Sequence, residues 1–379
     1  MPGKSRAERE ALERQNATLM ALFERAGFEH IAPDIIQPAD IFLERSGEDI
    51  RARTFVFTDP SGAEMCLRPD LTVPACRYHL SHAREPASEA RYCYCGPAFR
   101  FPNETLSPQE FTQAGLEWFA APDAVAAEAR VLKLAIQALE AVGLTKLRVT
   151  IGDLGLFASL LDDTDMPERW RKRLRHHFWR PPAFRDVLAN FAASTGQYRS
   201  SISPLIDAIG ACGALTVAEA EIAKRALPLV GGREVAEIAA RLDEKRADRD
   251  EPPLPRAAAD RLNSYLAISG EATEVDAQFA GVAGGPRSAA ARDAYARRLF
   301  EMEDLGLNPR RFHFAASFGR EIEYYTGFTF QIDVESPAGS ITVAGGGRYD
   351  NLLSDMGAPS RIAAVGCAIH TGRLLAVMS

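Results

Sequence analysis

Three groups of residues in the 379-residue chain have the types and spacing to do chemistry. The first lies in residues 91–120, RYCYCGPAFRFPNETLSPQEFTQAGLEWFA, where apolar runs at 92–99 and 111–119 read as strands joined by a polar loop. Strand side chains alternate between faces, so Gln113, Gly115 and Glu117 share one. A carboxamide and a carboxylate beside a glycine suit a small polar ligand lying against a sheet, because glycine lets it approach the backbone. A solvated face of an antiparallel sheet would carry the same pattern. The second group, Asp70 and Thr72, stands where a helical pattern begins near residue 73. N-terminal capping explains both; the functional alternative is that Asp70 reaches a cationic group of a ligand. The third is Gly345-Gly346-Gly347-Arg348-Tyr349-Asp350, where glycines after a strand permit close approach and Arg348 and Tyr349 can supply recognition. No GK[ST] follows, so this is not a phosphate-binding P-loop.

Other candidates carry less. The six cysteines, at 66, 76, 93, 95, 212 and 367, form no CxxC pair, so neither a zinc site nor a disulfide framework is indicated. Cys93 and Cys95 face the same side of one strand, a geometry for packing. Residues 169–180, RWRKRLRHHFWR, interleave six basic residues with aromatics and could stack on nucleic acid, or form a solvated helix face or one that meets an acidic partner. His176 and His177 are adjacent and diverge on a helix, which argues against a shared metal. The formal charge of −7 opposes wholesale binding of nucleic acid, making that partner unlikely. No apolar run approaches the ~20 residues that cross a bilayer, and the N-terminus lacks the apolar core of a signal peptide. A cytoplasmic protein is expected.

The elements that must position these groups follow from periodicity. Residues 7–26 fit an amphipathic helix ended by Gly27, and 28–38 a short strand whose proline belongs at a sheet edge or subunit contact. Residues 54–59 and 64–68 flank a turn and read as a hairpin. A helix over 123–142 and a strand over 147–152 come next. From 154 to 300 the pattern is almost wholly helical. Strands return at 311–316, 325–334, 340–344 and 363–368, followed by a helix over 370–377. The length suggests two domains.

Several of these pieces, in this order, resemble the catalytic core of class II aminoacyl-tRNA synthetases, most closely the histidyl-tRNA synthetases. Gly27-Phe28 through Pro33 resembles the dimer-forming motif 1, Gly96-Pro97-Ala98-Phe99-Arg100 the motif 2 strand, and Gly366 through Arg373 motif 3. Arg320-Glu321-Ile322-Glu323-Tyr324-Tyr325 looks like the histidine-specific RGLDYY element, and residues 345–350 like its GGGRYD companion. The resemblance spans nearly the whole chain. It implies an α+β fold, an antiparallel sheet flanked by helices, with a synthetase-like core in 1–153 and 301–379 interrupted by a helical insertion at 154–300. It also implies homodimers built through motif 1. Histidine is the implied ligand: Asp70, Thr72 and Gln113 on its α-ammonium, Glu117, Tyr324 and Tyr325 around the imidazole with Tyr349 closing that side, and Arg320 and Arg100 on its carboxylate. Each pairing is chemically sensible, since carboxylates accept from ammonium and arginine donates twice to carboxylate.

The departures narrow the resemblance. A catalytic synthetase follows its motif 2 arginine with a glutamate and a basic loop, whereas Arg100 is followed by Phe101-Pro102-Asn103 and no lysine or arginine before Gln113. Triphosphate chemistry needs cations against developing charge, and this loop supplies none. His370 takes the place of a motif 3 glycine, Asp70 that of a longer glutamate, and the sequence has no room for an anticodon-binding domain. A core that keeps the histidine pocket without the loop chemistry is similar to the regulatory subunits of ATP phosphoribosyltransferase. That family is not itself catalytic: it assembles with the short catalytic subunit that opens histidine biosynthesis, supports its activity and conveys feedback inhibition by histidine. No cofactor and no metal is implied. The competing expectation is a free-standing histidine-activating enzyme that forms an adenylate.

Overall fold

Asp123 opens the helix Ala124–Ala141 by accepting from the backbone N–H groups of Val125 and Ala126, and this helix buries one side from Ala127 to Leu139 beneath a large sheet. At the N-terminus Ser5 and Glu8 make a reciprocal capping box that starts the helix Arg6–Arg25, and Gly27, at φ +89°, lets the chain leave it. These are features of a computed structural model that describes residues 3–45, 50, 52–102, 109–178, 180–193, 203–225, 235–318, 324–336 and 339–378.

The twelve described strands are β1 (Glu29–His30), β2 (Ile36–Pro38), β3 (Phe55–Thr58), β4 (Glu64–Leu67), β5 (Ala90–Phe99), β6 (Glu110–Phe119), β7 (Leu147–Asp153), β8 (Ser269–Glu271), β9 (His313–Ala315), β10 (Phe328–Ser336), β11 (Gly339–Arg348) and β12 (Ala364–His370). Nine form one sheet in the order β1-β5-β6-β12-β11-β10-β7-β9-β8, and β2-β4-β3 form a second. From β5 to β7 every neighbouring pair is antiparallel; only β1 with β5 and β7 with β9, toward the edges, run parallel. This is the α+β arrangement that the resemblance implies.

Two details differ from the periodicity. Residues 28–38 supply two short strands in different sheets, β1 and β2, because the chain turns between them and Arg68 holds the turn: its guanidinium donates to the Pro33 carbonyl and, at 2.8 Å, to that of Pro97. The three glycines at 345–347 form no loop after a strand; they are the second half of β11, paired with β10 on one side and β12 on the other.

The chain divides into two compact units, Met1–Asp163 with Ser264–Ser379, and Thr164–Asn263. The second unit is narrower than the 154–300 span, because the helices Leu154–Asp162 and Pro286–Asp304 pack within the first. The core of the first unit contains a chain of buried charges. Arg298, 4% exposed, donates to Glu128 at 2.5 Å and to Asp153 at 2.7 Å; Glu128 also accepts from Arg348, which donates to Asp350. Asp350 then takes Arg361 and the Ala364 backbone N–H.

In the second unit the basic run forms the helix Glu168–His177. Arg169 meets Asp248 and Glu251, Arg173 meets Asp248, and Arg175 meets Glu168. Trp170 donates to Asp248 and stacks on Phe191 with ring centroids 4.3 Å apart. Much of the positive charge that could have faced nucleic-acid phosphates is therefore spent on acidic groups of the same unit, not on an acidic partner.

Candidate functional site

On one face of the large sheet the cross-strand register lines up three rows. Gln113 sits between Gly96 and His370; Gly115 between Tyr94 and Ala368, with Gly345 beyond; Glu117 between Tyr92 and Gly366, with Gly347 beyond. The period-2 expectation for Gln113, Gly115 and Glu117 is what the sheet shows. Over this face lies a cleft enclosing about 430 Å³ of open space, part of it continuous with solvent. It is lined by Asp70, Thr72, Arg100, Gln113, Glu117, Tyr324, Tyr325 and Tyr349, with small residues of β11 and β12 and His370 completing it. Eight of the nine residues expected to hold a ligand thus converge. The ninth, Arg320, lies outside the described residues.

Glu117 is fully buried and receives the Tyr94 hydroxyl on Oε1 at 2.8 Å and the Tyr349 hydroxyl on Oε2. Burial pushes its carboxyl from 4.5 up to about 7, against the opposing pull of these hydroxyls. Burial and the Glu117 charge push both tyrosines well above their ordinary range, so they stay protonated and donate. A group whose folded pKa is raised adds stability that is full below its unfolded pKa and is lost as pH rises through the folded value. Glu117→Gln is therefore expected to raise the stability of the ligand-free chain at pH 8, by up to about 3 kcal/mol at 1.4 kcal/mol per pKa unit, and by little at pH 4.5. Urea midpoints at the two pH values check this.

Asp70 precedes the helix Thr72–His82 and does two things at once. Its Oδ1 accepts from the Val73 backbone N–H at 3.1 Å, which is the capping role. Its Oδ2 is buried with no hydrogen-bond partner among the described residues, and the side chain lines the cleft. Burial pushes its carboxyl up, opposed chiefly by the Arg100 charge. A buried, half-used carboxylate is costly unless something donates to it. Gln113 holds the same turn, its Oε1 accepting from the Leu71 N–H at 3.0 Å. Arg100 donates to the Pro69 carbonyl at 2.7 Å and lies over Phe111.

Gly345 and Gly366 line the cleft, and several of the site's glycines also leave space for neighbouring side chains. A Cβ at Gly115 would come within 2.7 Å of the Tyr94 ring, one at Gly366 would overlap the Glu117 carboxylate, and one at Gly347 would meet Tyr325 at 2.9 Å. They make room for the site's own side chains. Arg348, a recognition candidate, points away from Tyr349 to Glu128 and Asp350 and is structural. Sequence reasoning misses Tyr94, although a tyrosine paired with Gly115 across β5 and β6 is the signal that could have found it. Cys93 and Cys95 pack as expected of their shared face, with burial pushing their thiols up to about 12 and about 11.

Known proteins match this architecture along its length. Residues 4–244 and 213–374 match the profile of the family described as histidyl-tRNA synthetase. A protein of Brucella canis named ATP phosphoribosyltransferase regulatory subunit is 34% identical over 351 residues, 90% of this chain and 91% of the relative. The chain belongs to that family. A Brucella anthropi relative of the same name is 32% identical over 94% of this chain and 95% of its own length. Among solved structures, a Bacillus halodurans protein described as an ATP phosphoribosyltransferase regulatory subunit/histidyl-tRNA synthetase superposes with TM-score 0.71 at 19% identity, covering 100% of this chain and 82% of that one. Apo histidyl-tRNA synthetase from Staphylococcus aureus superposes at TM-score 0.57 and 18% identity, over 100% and 74%. At these identities the two structures speak for the fold, the class II synthetase-like arrangement of sheet and helices. Among the described residues no helix is long and apolar enough to cross a membrane.

Proposed function

We propose that this chain is the non-catalytic regulatory subunit of ATP phosphoribosyltransferase, partnered by the short catalytic subunit, and that histidine is the ligand of its cleft. One observation carries the ligand: a single cleft holds an under-used buried carboxylate, Asp70, and a second, Glu117, already fixed by two tyrosines. The first matches an α-ammonium and the second an imidazole N–H. Asp70, Thr72 and Gln113 take the ammonium end. Glu117, Tyr324, Tyr325 and Tyr349 surround the imidazole, and Arg100, with Arg320, takes the carboxylate. The absence of lysine and arginine between Arg100 and Gln113 fits a site that binds the amino acid without activating it.

Binding regulates only through a difference in affinity between two states of the assembly. Couplings are typically about 1–3 kcal/mol, enough to change flux severalfold. A homodimer through the β1 region, an edge of the large sheet, completes the proposed assembly.

The test is to titrate the isolated chain with histidine by calorimetry, then assay the catalytic subunit with and without the chain and the amino acid. Saturable heat, activation by the chain and its reversal by histidine are expected. No heat at millimolar histidine, with no effect on the transferase, would remove the proposal. Histidine-dependent exchange of pyrophosphate into ATP is expected to be absent.

A further inference from the structure

Tyr94 is entirely buried, and among the lining residues of the cleft it does not appear. It nevertheless touches both ends of the site. Its hydroxyl donates to Glu117 at 2.8 Å and stands 3.5 Å from the Thr72 hydroxyl. Tyr94 thus stands between the Thr72 hydroxyl and the Glu117 carboxylate, bonded firmly to the second and only in loose contact with the first. The ring's position is built in: it lies over Gly115, its strand partner, where any Cβ would strike it.

We propose that Tyr94 is a positioning residue that fixes the Glu117 carboxylate as the acceptor for the ligand's imidazole. This rests on the histidine reading of the cleft. The groups that act on Glu117 come from every side: Tyr94 on β5, Tyr349 after β11, Tyr324, Asp70 before the helix Thr72–His82, and Thr72 and Cys76 within it. Of these, Tyr94, Tyr349 and Thr72 favour the charged carboxylate and Asp70 opposes it. Removing the Tyr94 hydroxyl should raise the pH at which Glu117 loses its proton, and affinity should fall away at a correspondingly higher pH.

Histidine binding by the full chain is measured by calorimetry from pH 6 to 9 for the wild type, Tyr94→Phe, Glu117→Gln and the double variant. Comparison at each pH cancels the ligand's own titration. Tyr94→Phe keeps the ring over Gly115 and is expected to weaken binding about tenfold near pH 7 and to move the acid limb upward. On the Glu117→Gln background the same change is expected to add nothing, a coupling that a merely structural role would not produce. Tyr94→Met, which also lacks the hydroxyl but fits flexibly, is expected to behave alike and serves if the phenylalanine variant folds poorly. Wild-type affinity and pH limb in either folded variant would overturn the inference alone; no histidine heat in the wild type would overturn the histidine reading as well.

Discussion

Asp70→Asn is expected to weaken histidine binding by about 2–5 kcal/mol, a loss of roughly 30-fold or more in affinity. The asparagine retains a carbonyl oxygen to accept from the Val73 N–H, so the cap on the helix Thr72–His82 survives. What is lost is the negative charge at the atom that has no other hydrogen-bond partner among the described residues. The same variant is expected to be no less stable than the wild type at neutral pH. Burial raises the Asp70 pKa, so the stability held by its neutral form is full below the ordinary carboxylate range and is lost as pH rises through the raised value, where the charge opposes folding. Calorimetry and urea unfolding on one preparation separate the two effects. An unchanged Kd would mean that the ammonium does not sit at Asp70.

Arg298→Met is the largest expected loss of stability, about 3–5 kcal/mol. The methionine replaces the arginine's volume but leaves Asp153 without its arginine and Glu128 with Arg348 alone, at 3.3 Å. Both carboxylates are nearly inaccessible, at 1% and 5% exposure, so water cannot substitute for the lost partner. Because Arg348 and Asp350 flank Tyr349, weaker histidine binding is expected to accompany the loss. A fall in urea midpoint with an unchanged m-value is the expected signature. A destabilisation below about 1 kcal/mol would show that the charges find other partners.

Much of the candidate site is legible in the sequence because strand periodicity is local. Gln113 and Glu117 share a face whatever the sheet around them, and Asp70 and Thr72 stand at a helix start because a helical pattern begins directly after them. The glycines of 345–347 read as lying beyond the strand end at 344 for an equally physical reason. Glycine lowers strand propensity locally, and only the side chains of neighbouring strands, such as Phe330 against Gly346, explain why nothing larger fits. The limits of the helical unit are similarly illegible, since a helix that packs on its own unit's sheet and one that packs among helices carry the same 3.6-residue pattern.

Sequence by itself determined which faces are apolar, which polar residues share a strand face or stand at a helix start, and that the segment after Arg100 carries no cation before Gln113. Only the tertiary structure decided that Asp70 keeps one oxygen uncommitted, that Tyr94 donates to Glu117, and that Arg348 serves Glu128 and Asp350. The reason lies in range. Periodicity and capping are set within about one turn or strand pair, whereas the partner that completes or withholds a hydrogen bond comes from residues far away in the chain, as Tyr349 does for Glu117.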